Sequence, residues 1–166
     1  MVVFDASTLI LLARIDILDL FISNFHYRVL IPEKVRLEAC SGKRGETPLI
    51  VKLIEEKKIE VLKVKNKTLI RKLMEDFNID EGEAEALTLA LQGKGSIIAT
   101  DDKNAIRACK ALRLEFITAV AILIRIFEKG IMQRDEAVIK LQKLQSIGRY
   151  SRVIIEDAEK FLKGGG

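Results

Sequence analysis

Ser96-Ile97-Ile98-Ala99-Thr100-Asp101-Asp102 is the stretch whose reading decides the fold. A short β-branched run stops abruptly on a threonine and two acids. Met1-Val2-Val3-Phe4-Asp5 repeats the pattern at the start of the chain. Short apolar runs bounded by polar residues read as strands buried on both faces. Three more such runs cover residues 28–31, 59–64 and 115–117. Helical periodicity fills the intervals, at residues 7–14, 17–24, 32–40, 48–58, 67–77, 81–92, 103–112, 119–129, 134–145 and 153–162. Strands alternating with helices predict a three-layer α/β/α domain around a central, mainly parallel five-stranded sheet. Right-handed crossovers leave one simple arrangement, with strands one to three on one side and four and five on the other. The switch point then falls between the strand ending at Asp5 and the strand ending at Asp101. Ligands of open parallel sheets bind outside the carboxyl ends of the strands at that point.

The whole chain reads as one domain over residues 1–163, with Gly164–Gly166 expected as a disordered tail. At 49% hydrophobic and 31% charged residues it can build a sizeable, mainly aliphatic core. The net charge of +4 permits a polyanionic partner without identifying one. Cys40 and Cys109 match no metal spacing and read as reduced structural thiols. Arg14, Asp16, Asp19 and Arg125 interrupt the longest apolar runs too soon for a bilayer span. No basic stretch precedes an apolar one at the start, so a soluble, cytoplasmic protein is expected. The helices at 7–24 hold more aliphatic residues than a one-sided surface helix needs, which predicts a homodimer or a surface for a protein inhibitor.

Five acids are candidates for chemistry, and each has a structural competitor. Asp5, with Ser7 and Thr8 after it, suits a helix N-cap. Asp80 and Glu83 have the spacing of a capping box. Gly82 between them is poor in a helix unless something approaches closely. Glu81 and Glu85 read as solvent-facing. One of Asp101 and Asp102 caps the next helix, which leaves the other spare for chemistry. Glu38 lies near the apolar edge of its helix, where a solvated carboxylate is the default. Acids gathered at one crevice repel, so such a cluster needs a cation or a shared proton. The single histidine, His26, precedes a strand and suits neither a triad nor zinc. No phosphate-binding glycine motif occurs. An all-oxygen site for Mg²⁺ or Mn²⁺ remains. The polar loop at residues 41–47 is a candidate phosphate contact beside Glu38.

Four motifs occur in order: Asp5-Ala6-Ser7; Ile31-Pro32-Glu33-Lys34-Val35 leading to Glu38; Asp80-Glu81-Gly82-Glu83-Ala84-Glu85; and Thr100-Asp101-Asp102. Together they resemble the PIN-domain family, in particular its small prokaryotic VapC-like ribonucleases, over roughly residues 1 to 130. The resemblance implies a Mg²⁺- or Mn²⁺-dependent ribonuclease that leaves 5′-phosphate and 3′-hydroxyl ends. It implies catalytic Asp5, Glu38, Glu83 and Asp102. It places metal on Asp5, Glu83, Asp101 and Asp102, with Ser7 and Thr100 as hydrogen-bonding supports. RNA would lie along Lys43, Arg44, Lys103 and Arg107, and an antitoxin protein is the implied partner. Two positions depart from many relatives: Glu83 replaces Asp, and Ile106 stands where Arg is common, with Arg107 next to it.

Two other classes of function compete, a different enzyme on a similar sheet and a non-catalytic module. An aspartate-dependent phosphatase would use Asp5 as nucleophile, but it wants a second Asp where Ser7 stands. A phosphotransfer receiver wants a Lys near Phe116-Ile117-Thr118, and none is there. A non-catalytic RNA- or protein-binding module would need no metal, which a Mn²⁺ titration distinguishes.

Overall fold

Asp5 and Thr100 meet because their strands are neighbours at the centre of one sheet. The computed structural model describes residues 1–164. Its strands are β1 (Val2–Phe4), β2 (Val29–Pro32), β3 (Glu60–Leu62), β4 (Ile97–Ala99) and β5 (Glu115–Ile117). They pair in the order β3-β2-β1-β4-β5, every pairing parallel. Val2, Val3 and Phe4 lie opposite Ile97, Ile98 and Ala99, so the two strands end level.

Ten helices among the described residues cover the sheet: α1 (Ala6–Arg14), α2 (Leu18–Asn24), α3 (Glu33–Cys40), α4 (Thr47–Glu55), α5 (Lys67–Phe77), α6 (Glu81–Gln92), α7 (Lys103–Leu112), α8 (Ala119–Glu128), α9 (Arg134–Ile147) and α10 (Arg152–Leu162). Strand side chains alternate between faces. Val2, Phe4, Val29 and Ile31 accordingly join one core with residues of α1 to α4 and α8 to α10. Val3, Leu30 and Ile98 join the other core, with α5, α6 and α7. The expected three-layer architecture and switch point are both present.

Four expectations need correction. Pro32 is not the first helical residue. It ends β2 and stands as the N-cap of α3, with extended backbone at φ −69°, ψ 159°. The helix expected at 48–58 runs Thr47–Glu55, with Pro48 inside its first turn, where a missing N–H costs nothing. Glu85 is not solvent-facing but 6% exposed. Only part of the aliphatic excess of residues 7–24 is covered within the chain, and Ile10, Leu11, Leu20 and Ile22 stay half-buried. Leu9, Leu12, Leu18 and Phe21 pack in the core that includes α8, α9 and α10. The large exposed apolar side chains lie elsewhere. Of the expected tail, Gly164 closes α10 at φ +83°, with its N–H bound to Phe161 O at 3.2 Å. Residues 165 and 166 lie outside the described residues.

Candidate active site

Asp5 follows β1 and caps α1. Its Oδ1 accepts the Thr8 N–H at 2.8 Å, and its Oδ2 accepts the Thr100 hydroxyl at 2.6 Å. The side chain is 2% exposed. Burial pushes its carboxyl up to about 6, against the bonds from Thr100 and Thr8, and Asp101 adds repulsion. Thr100 therefore bonds directly to Asp5. Ser7 does so weakly, at 3.5 Å.

The two acids after β4 have different duties. Asp102 caps α7, its Oδ1 accepting the Ala105 N–H at 2.8 Å, while its own N–H donates to Thr100 Oγ1 at 3.2 Å. Asp101 is the most heavily bonded acid of the group. It accepts the Thr8 hydroxyl at 2.7 Å, the Tyr150 hydroxyl at 2.9 Å, and the Ala119 N–H at 3.2 and 3.3 Å. Thr8 thus bridges Asp5 and Asp101 through its N–H and O–H. Asp101 ties the ends of β1 and β4 to the start of α8 and to the segment after α9. Tyr150 comes from the region beyond Gln133, where sequence motifs offered no correspondence.

Glu83 and Glu38 close the group from the β2 side. The capping box is present: Asp80 Oδ1 accepts the Glu83 N–H at 2.8 Å, and Glu83 Oε2 accepts the Asp80 N–H at 2.9 Å. Burial pushes the Glu83 carboxyl up to about 7, assisted by Asp80, Asp102 and Asp5 and opposed by the Asp80 N–H. Glu38 is also raised, by burial first and then by Asp80, while Lys34 opposes. Its carboxylate lies against Gly82 in the first turn of α6. A Cβ there would stand 2.9 Å from Oε1 and 3.2 Å from Oε2. That close approach explains a glycine inside a helix.

The acids share one open cleft with two lobes. The first, about 390 Å³, is lined by Asp5, Glu38, Asp80 and Glu83 with Arg44. The second, about 440 Å³, shares Ser7, Ile10, Arg44 and Glu83 with it and adds Asp101, Asp102, Arg149 and Tyr150. Among the described residues, no three Asp, Glu, His or Cys side chains converge into a ready-made cation cage. The donor chemistry nevertheless fits a hard divalent ion: the acids are oxygen-only, mutually repelling, and short of balancing cations.

Of the expected basic residues, only Arg44 lines the cleft. Lys43 and Lys103 are exposed. Arg107 donates to Phe77 O at 3.1 Å, at the end of α5. Arg149 lines the second lobe and was not anticipated. No helix among the described residues is long and apolar enough to cross a membrane.

A central parallel sheet with acids gathered at its carboxyl edge defines the class of domain. A family model described as a PIN domain matches residues 1–160, and the chain belongs to that family. The match continues past the last motif into α10. PIN domains are in general nucleases that use divalent metal ions. Comparison with curated proteins and with solved structures returned no match.

Proposed function

We propose that this chain is a cytoplasmic, Mg²⁺- or Mn²⁺-dependent endoribonuclease that hydrolyses phosphodiester bonds of single-stranded RNA. One observation carries the reading. Asp5, Glu38, Glu83 and Asp102 come from four separate segments and line one cleft, with Asp5 and Glu83 raised to about 6 and about 7. Perturbed carboxylates in a cleft mark functional sites.

Asp5, Glu38, Glu83 and Asp102 are the residues that would hold a divalent ion, with Asp101 behind them. Such an ion supplies positive charge against the phosphate oxygens and makes hydroxide available near neutral pH. Thr100 and Thr8 orient Asp5. Asp101 orients Thr8. Glu83 Oε2 is occupied by the capping bond, which leaves Oε1 as the oxygen free to reach an ion. Arg44 faces the acids and can bind a phosphate oxygen.

The test is cleavage of a 5′-labelled single-stranded RNA by purified protein with Mn²⁺. The products should carry 5′-phosphate and 3′-hydroxyl ends, and a chelator should stop the reaction. The same preparation carrying Asp5→Asn should be inactive. If it cuts as fast as wild type, the cleavage belongs to a contaminant. The same reading makes the protein the homodimeric toxin of a toxin–antitoxin pair. Light scattering, and co-purification with the product of the adjacent reading frame, test those parts separately.

A further inference from the structure

The second lobe has a chemistry that ion binding does not use. Ile10 and Leu11 of α1 form an apolar wall, and Ile147 at the end of α9 faces the same space. Arg44 enters from the loop after α3, and Arg149 from the turn between α9 and α10. Arg28, Arg36 and Arg152 are each paired with a glutamate. Among the described residues, neither Arg44 nor Arg149 is paired with an acid, although both are exposed beside a cleft rich in acids. Two free guanidinium groups flanking an apolar wall suit a ligand that alternates phosphates with flat, weakly polar rings. The lobe's volume of about 440 Å³ falls in the range of small-molecule sites. The turn that carries Arg149 is anchored, because the next residue, Tyr150, donates to Asp101 at 2.9 Å. The backbone that carries the arginine is therefore held near the end of β4.

We infer that the second lobe seats the nucleotide adjoining the scissile phosphate of an RNA strand, its base against Ile10, Leu11 and Ile147 and its phosphates on Arg44 and Arg149. The inference rests on the ribonuclease reading and adds the side of the acids on which the strand continues. It also gives the C-terminal pair α9–α10 a substrate role.

Binding and cleavage separate the two ideas. A fluorescein-labelled single-stranded RNA of eight nucleotides is titrated with wild-type protein in a chelating buffer, and affinity is read by anisotropy. Arg149→Glu should weaken binding at least tenfold, the usual scale for losing a charge-assisted contact. Arg149→Ala should weaken it less and make the salt dependence shallower by about one phosphate contact. Lys94→Glu, an equal charge change before the amino end of β4, should leave affinity unaltered. An abasic nucleotide walked along the strand should cost affinity at one position. With metal, Arg149→Ala should raise KM more than it lowers kcat. The inference is overturned if Arg149→Glu binds as wild type, if Lys94→Glu weakens binding equally, or if every abasic position is equivalent. If wild-type protein neither binds nor cuts RNA, the ribonuclease reading falls too. Arg149 is exposed, so its variants should melt as wild type does.

Discussion

Glu38 and Glu85 are exchanged between the same two helices and end in opposite states. Glu85 leaves α6 and accepts the Lys34 N–H at 3.3 Å, in the first turn of α3. That turn begins at Pro32, which has no capping side chain, so Glu85 supplies the missing acceptor. Glu38 leaves α3 and lies against Gly82 in the first turn of α6. There Asp80 already caps the helix, and the Glu38 carboxylate has no hydrogen-bond donor among the described residues. A buried acid with a donor holds the fold together. A half-buried acid without one, beside other acids, keeps a repulsion that a bound cation would relieve.

The largest effect should come from the acids proposed to hold the ion, whether donor-free like Glu38 or bonded like Asp5. Asp5→Asn and Glu38→Gln should each lower the cleavage rate by about two orders of magnitude or more, the scale of losing an electrostatic contact in the transition state. Neither should lower the melting temperature of the metal-free protein by much, because each removes a repelling charge. Asn also retains the N-cap function at position 5. A large fall in melting temperature with cleavage intact would make Asp5 a structural cap and nothing more.

Glu85→Ala should show the reverse. It strips the acceptor from a part-buried N–H, at a cost of about 1 kcal/mol. Urea unfolding should detect that loss, while activity per folded molecule stays close to wild type. Equal stability would mean that the Lys34 N–H finds another partner.

The pH dependence has a definite sign. Asp5 is raised in the folded protein from its ordinary 3.8 to about 6. Between those values the folded state holds the proton that the unfolded state has released. Its contribution is therefore full below about pH 4 and is lost as pH rises through about 6. Relative to Asp5→Asn, chelated wild type should lose on the order of 3 kcal/mol across that window. Adding Mn²⁺ should reverse the loss. Parallel curves for the two proteins would mean that Asp5 is not perturbed.

The smallest and most specific test is Gly82→Ala. A new methyl would stand 2.9 Å from Glu38 Oε1, the movable end of a flexible side chain, so the carboxylate must shift. Stability should stay level or rise by up to about 1 kcal/mol, the usual gain for Gly→Ala within a helix. Cleavage should fall by about tenfold or more, since misplacing a reacting group by about 1 Å is costly. Unchanged cleavage would remove Glu38 from the active constellation.

Local chemistry made much of this legible in the sequence. The strand order followed from apolar runs and crossover handedness. Asp5, Asp80 and Glu83 could be placed, and the cap of α7 narrowed to Asp101 or Asp102, because a cap acts on backbone only three residues away. Gly82 stood out because glycine is costly in a helix unless something approaches closely. The chain's sequence by itself thus determined the sheet, its switch point, and the acids at strand ends and helix starts. Only the tertiary structure decided that Glu85 turns inward while Glu38 stays without a donor. It alone decided that Asp101 is bound by Thr8 and Tyr150, 93 and 49 residues away, and that Arg149 rather than Arg107 reaches the cleft. The physical reason is range. Caps and periodicity are satisfied within a turn or two of chain, whereas the surroundings of a carboxylate depend on which distant helix packs beside it.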